Sequence, residues 1–513
     1  MRNVHTIDLL PDEHWWGGVV HDGTEMPFGA TPYQRDLAAG LAGNQGVPLL
    51  LSSQGRYVWC DQPFHFSFDE QLLRVAAPTE LVYSADARTL RGAFQHAAQR
   101  HFPPSGRMPD PRLFSAPQYN TWIEMLYAPT QAKVLAYAEA LLAQGFPPGV
   151  LIIDDNWQED YGVWRFHPGR FPDPHALVEN LHALGFTVML WVCPFVSPDS
   201  STFRALQRQG YLVRTERGEP ALRSWWNGYS AVLDGSNAAA TAWMHAQLHA
   251  LMETYGVDGF KFDAGDPEFY LPSDHTARPT TPWEQCWAWA ELGLQYPLNE
   301  YRACWKQGGQ ALGQRLRDKA QRWDGTNGLA ALVPNGVAQG LAGYAFSCPD
   351  MIGGGEGGDV VDPQFRVDQE FFVRYAQCAA LFPMMQFSTA PWRVLDAEHV
   401  ACCVAAAHLH TALGPEIVAL AEHAAQTGEP ILRHLAYVFP HAGYEQISDQ
   451  FLLGDTLLVA PVLVQGAQER TIVFPPGTWR GDDGSIVQGP TTVTVAAPLS
   501  RLPWYRRQER VVP

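Results

Sequence analysis

Short apolar runs alternate through the middle of this chain with longer stretches whose apolar positions recur every three or four residues. The runs are PQYNTW (117–122), GVLIID (149–154), FTVMLWV (186–192), DGFKFD (258–263), NEYRACW (299–305), ALGQRL (311–316), GYAFSC (343–348) and FPMMQF (382–387). Clear helical periods such as AKVLAYAEALLAQ and ALVENLHALG lie between several of them. Repeated strand–helix alternation predicts parallel strands closed into a (β/α)8 TIM barrel, an α/β fold.

The flanks read differently. Residues 1–105 hold short β-like runs broken by turn residues, such as VPLLLSS, then QG, then RYVWC, which predicts an N-terminal β domain. Proline-rich FPPSGRMPDPRLF (102–114) marks its end. The barrel is expected over 106–430. Over 431–513 short strands return (QFLLGDTLLVAPVLV, RTIVFP, TTVTVAA) with PPG and DDG read as turns, which predicts a C-terminal β-sandwich domain.

Composition narrows the partners. The net charge of −18 argues against nucleic acid or an anionic membrane, both of which attract basic surfaces. Eighteen tryptophans suit sugar rings, although buried aromatics serve any core. The first residues, MRNVHTIDLLPDEHWW, lack the pattern of a signal peptide, and no apolar run approaches the roughly 20 residues that span a bilayer. The eight cysteines are scattered without a CxxC pair. A reduced, cytoplasmic protein is expected. Cys402, Cys403, His408 and His410 offer metal-ligand types, but AEHVACCVAAAHLHTAL reads as a buried helix. IGGGEGGD lacks the Lys-Ser/Thr of a phosphate loop and is expected to pass close to the site's mouth.

In a barrel of this kind the chemistry collects at the C-terminal strand ends. In order these ends supply Asn120, Asp154 and Asp155, Trp191, Asp263, Arg302, Asp318, Asp350, and Gln386 with Ser388. A single Asp or Asn there is ordinary turn chemistry; a ring of them is harder to explain that way. Lys261 and Asp263, two apart in a strand, point to one face. The ammonium is expected to keep that carboxylate ionised, as a glycosidic nucleophile requires, although a structural Lys–Asp pair has the same spacing.

GFKFDAGD resembles the nucleophile segment of glycoside hydrolase family 31, whose members are mostly α-glucosidases, α-xylosidases and α-galactosidases. Further blocks resemble that family in order: LIIDDNWQEDYGVWRFHPGRFPDPHALVENLHALGFTVMLWVCPFV, SWWNGYSAVLDGSN, GYAFSCPDMIGGG, EPILRHLAYVFP and DQFLLGDTLLVAPVL. The resemblance implies that Asp263 is the nucleophile. For the general acid/base it favours Asp318, which precedes Trp323, over Asp324, which follows it. Arg302 resembles an arginine that contacts sugar and nucleophile. Asp154, with Asp155 beside it, resembles a hydroxyl-binding aspartate, and Trp191 an aromatic wall. Trp226 and Trp225 are weaker candidates, since tandem Trp also fills cores.

The chain departs from the family where many members carry a His after the eighth strand; here Ser388 stands in that place. The space it leaves is open to water, to Gln386 or to a substrate group absent from glucose, so an α-galactoside or another non-glucose α-glycoside is expected to be cleaved at least comparably to an α-glucoside. A catalytic metal is rejected because Lys261 and Arg302 would oppose a cation, and no cofactor is implied. The implied reaction is retaining hydrolysis of a terminal α-linked sugar from a small neutral glycoside. Transglycosylation with the same residues and a non-catalytic sugar-binding barrel are the rivals. Self-association is left open.

Overall fold

The structure, a computed structural model, describes residues 3–29, 31–69, 71–360 and 366–508. Each of the eight apolar runs contains a strand. Gln118–Asn120, Val150–Ile153, Thr187–Val192, Gly259–Phe262, Asn299–Tyr301, Gln314–Arg315 and Ser347–Cys348 pair in parallel, each with the next. The seventh strand comes in two pieces. Ser347–Cys348 pairs with the sixth, and Met351–Ile352 pairs with Gln386–Phe387, which pairs back with the first. The ring therefore closes at a break where Asp350 adopts a left-handed φ of 76°. Helices cover the outside, so the strands are buried on both faces and read as continuous apolar runs.

Polar side chains fill much of the barrel's interior. Gln386 donates to Gln118 (2.7 Å) and Glu300 (2.6 Å) and accepts from Asn120 (3.1 Å). Glu300 also faces Arg315 at 3.4 Å. These bonds satisfy part of the network, while Gln118 Nε2, Glu300 Oε1 and Arg315 Nε are buried without a hydrogen-bond partner among the described residues.

The N-terminal region forms two sheets. One is antiparallel, in the order Asn3–Asp8, Leu72–Ala77, His65–Phe68, Tyr33–Asp36. In the other, Gln45–Ser52 pairs with Trp15–Val19 and Tyr57–Cys60, and at its start with Cys304–Trp305, which follows the fifth barrel strand. That last pairing sews the N-terminal region to the top of the barrel and brings residues 41–44 to the strand ends.

The C-terminal β region is a six-stranded sheet, antiparallel throughout. Pro475-Pro476-Gly477, expected to turn, lies inside the strand Glu469–Gly481, where the register shifts between Phe474 and Gly477. A bulge absorbs prolines that a regular ladder could not. The segment around Cys402 is helical, within the 31-residue helix Ala397–Thr427. His408 and His410 are held by the carbonyls of Gly145 and Ala380, and no cluster of metal-ligand residues occurs among the described residues. By length and composition this helix is apolar enough to cross a bilayer, contrary to the expectation that no such run exists. It packs on the barrel through Val400, Cys403, Ala407, Ile417 and Ala421.

Candidate active site

Eight of the residues expected in the site line one cavity of about 790 Å³ at the C-terminal strand ends: Asp154, Asp155, Trp191, Trp226, Lys261, Asp263, Arg302 and Asp318; Asn120 and Asp350 do not. Register explains the arrangement. Ile153 is level with Leu190, and Leu190 with Phe260. One residue on, Asp154, Trp191 and Lys261 stand level on three neighbouring strands, and Asp263 rises two residues above Lys261.

Asp263 is held at both oxygens. Trp191 Nε1 donates to Oδ2 at 3.0 Å, while Arg302 Nε and the Ala264 N–H donate to Oδ1 at 3.0 and 2.9 Å. Ala264 adopts a left-handed φ of 55°, the kind of local strain that clusters at functional sites. Burial would raise the Asp263 carboxyl. The charges of Arg302, Lys261 and Arg315, with the Trp191 hydrogen bond, outweigh it and hold the group well below the usual carboxylate range.

Lys261 helps to hold Asp263 ionised, as expected, but not through a direct bond to it. Its ammonium bonds Asp154 Oδ2 at 2.6 Å, reaching past Trp191 to the strand beyond, and acts on Asp263 only at longer range. A four-carbon stem spans that gap, whereas i,i+2 spacing fixes only the face. Beside this pair, Asp155 accepts from Gln158 (3.2 Å), Tyr161 (3.1 Å) and Asn227 (2.7 Å). Burial foremost, and the Asp154 charge, push it up to about 7 despite these donors.

Asp318 is more open, with 39% of its side chain exposed, and accepts a hydrogen bond from Arg315 Nη1 at 2.7 Å. The same nitrogen bonds Asp350, whose other oxygen takes the N–H groups of Lys319 (2.7 Å) and Gly355 (3.1 Å). The loop carrying Asp318 is thereby fixed to the seventh strand. Asp324 instead caps its own turn, accepting from the N–H groups of Thr326 and Asn327, and pairs with Arg322. It does not line the cavity.

The tandem tryptophans divide. Trp225 is buried against Phe195 (4.2 Å between centroids), while Trp226 is 45% exposed at the mouth beneath Arg302. Ser388 and Gln386 lie outside the cavity. Ser388 Oγ accepts from Ile123 N at 2.7 Å, and Gln386 is engaged in the barrel network. The expected link between Ser388 and sugar choice therefore has no contact to act through. Gly357 and Gly358 of the glycine-rich loop do reach the cavity wall.

Several wall residues escaped the sequence. Arg302 clasps Asp266 through Nη1 (3.0 Å) and Nη2 (2.7 Å). Its Nη1 also donates to the Gly43 carbonyl at 3.1 Å, and Glu268 accepts from the N–H groups of Leu41 and Ala42. Gly43 has a φ of 71°, and a Cβ there would lie 2.6 Å from Arg302 Nη1. Only glycine suits that close approach. Trp122, Tyr127 and Phe269 add aromatic wall. Asp266 is the last residue of GFKFDAGD itself, and PEF directly after it was the signal for Glu268; nothing local marks residues 41–44.

Comparison with known proteins agrees with this architecture. A myogenesis-regulating glycosidase from Mus musculus is 36% identical over 465 residues, covering 88% of this chain and 64% of that protein. A sulfoquinovosidase from Escherichia coli (strain K12) is 24% identical, covering 67% and 53%. This chain thus spans less than two-thirds of either relative. Among solved structures, a GH31 alpha-xylosidase from a soil metagenome superposes with a TM-score of 0.85 at 22% identity, covering 99% of this chain and 80% of that one. Residues 111–417 match the Glycosyl hydrolases family 31 TIM-barrel domain and residues 428–512 the Glycosyl hydrolase family 31 C-terminal domain. The chain belongs to glycosyl hydrolase family 31.

Proposed function

We propose that the protein is a retaining, exo-acting α-glycoside hydrolase that removes a terminal α-linked hexose, glucoside or galactoside, from a small neutral glycoside. The observation that carries this reading is the Asp263 carboxylate, fixed at both oxygens and kept ionised at the foot of a cavity that also holds Asp318. Asp263 attacks the anomeric carbon while Asp318 protonates the departing oxygen. The Asp318 carboxylate then takes a proton from water, which attacks the glycosyl ester and frees Asp263. The buried Asp154–Lys261 pair and Asp155 close the inner end, suited to a terminal sugar's hydroxyls, while Trp226 and Tyr127 flank the entrance. The eight free thiols support a reducing, cytoplasmic setting.

The test separates the two competing aspartates. Asp318→Ala should slow glycosides with poor leaving groups far more than activated aryl glycosides, and azide should restore turnover. Asp324→Ala should keep the normal leaving-group dependence and lose about 1 kcal/mol of stability with its turn cap. Exchanged phenotypes would overturn the assignment. Running aryl α-glucoside, α-galactoside and α-xyloside side by side identifies the sugar, and product analysis separates hydrolysis from transfer.

A further inference from the structure

The catalytic cavity uses Trp122, Trp191 and Trp226. Three other tryptophans, Trp283, Trp287 and Trp305, meet in a second cavity of about 470 Å³ that shares no lining residue with the first. Trp283 and Trp287 are four residues apart on the helix Pro282–Leu292, hence on one face. Trp289 of that helix turns inward, against Phe262 and beside Gly265. A capping box between Thr281 and Glu284 pins the start of the helix. Trp305 arrives from the segment that joins the N-terminal sheet and meets Trp283 edge-on at 6.1 Å.

Core packing accounts for Trp289 but not for Trp287, which is 36% exposed. The buried Trp283 Nε1 finds no acceptor among the described residues. Around the indoles the charges cancel: Arg278 and Lys306 stand against Asp61 and Glu284. Lys306 is tied to Asp61 and Glu284 to the Thr281 N–H, so these groups are already positioned. A balanced rim disfavours a strongly charged ligand, since no net field draws it in. Indole walls favour a ligand with flat C–H faces, and the rim offers donors and acceptors to its edges. The volume falls in the roughly 300–1,000 Å³ range of small-molecule sites.

We propose that this cavity is a second, non-catalytic binding site for a neutral oligosaccharide, with Trp287 as its stacking platform. It stands apart from the roles assigned to Asp263 and Asp318 and survives their failure. Isothermal titration of maltotriose, isomaltotriose and raffinose into an Asp263→Asn variant, with and without Trp287→Ala, tests it. At least one sugar should show binding that weakens about tenfold or more in Trp287→Ala, as expected for loss of an aromatic anchor. Trp287→Phe should retain part of it. In the otherwise native enzyme, Trp287→Ala should leave aryl glycoside turnover unchanged. Isotherms indifferent to Trp287 for all three sugars, or no saturable binding outside the catalytic cavity, would overturn the proposal.

Discussion

Arg302 Nε lies 3.0 Å from Asp263 Oδ1 while the far side of the same guanidinium grips both oxygens of Asp266. One planar fork thus sets the angle of the nucleophile candidate and anchors it to the following loop. An ammonium cannot occupy both positions. Arg302→Lys should lower kcat/KM about 100-fold or more, the scale for losing a fixed electrostatic contact at a reacting group. Steady-state kinetics with an aryl α-glycoside checks this, and near-native turnover would show that the fork is not needed.

Trp191→Phe removes one hydrogen bond from Asp263 and keeps an aromatic ring in place. A bond to a charged group contributes about 1.5–3 kcal/mol, so kcat/KM should fall roughly 10- to 100-fold. The sign of the pH effect follows from the depressed Asp263 value. Its contribution to stability is complete above the unfolded value near ~3.9 and is lost as pH falls below it toward the folded value. Loss of the Trp191 donor should move the acid limb of the kcat/KM profile upward. A limb that stays in place, or moves down, would contradict the account.

Asp155 titrates in the opposite sense. Its folded value of about 7 lies above the unfolded value near ~3.9. Stability from its protonated form is therefore full below the unfolded value and is lost as pH rises through about 7. Asp155→Asn should lower the baseline by disturbing the Tyr161 and Asn227 bonds, yet flatten the fall in Tm between about pH 4 and 8. Thermal melts across that range read the slope.

Ser388→Ala should strip the acceptor from the Ile123 N–H and cost about 1–3 kcal/mol of stability. The ratio of kcat/KM for glucoside and galactoside should not move, because Ser388 does not border the cavity. A shift in that ratio would restore the link between this position and sugar choice.

The barrel was legible because parallel strands buried on both faces leave uninterrupted apolar runs, and because most of those runs, though not the eighth, end where the site begins. Asp154, Trp191 and Asp263 could be placed from strand ends alone. Lys261 could not be paired correctly, since its partner depends on how far a long side chain reaches across a neighbouring strand. Gly43 was invisible for a different reason. Its approach to Arg302, 259 residues away, is created by the pairing of Cys304–Trp305 with Gln45–Ser52, which no local pattern announces. Ser388 misled because its sequence neighbourhood resembles a sugar contact, whereas its hydroxyl is consumed by a backbone N–H. PPG misled because a bulge accommodates the residues that usually make a turn.

On the proposed mechanism Asp263 forms a covalent bond to the sugar. Incubation with a fluorinated α-glycosyl inactivator, proteolysis and mass spectrometry test it most directly, because slowed hydrolysis traps the ester. One glycosyl adduct is expected on the peptide carrying GFKFDAGD, mapped to Asp263 and absent from an inactive Asp263→Asn variant. An adduct on another carboxylate, with Asp263→Asn still turning over substrate, would contradict it.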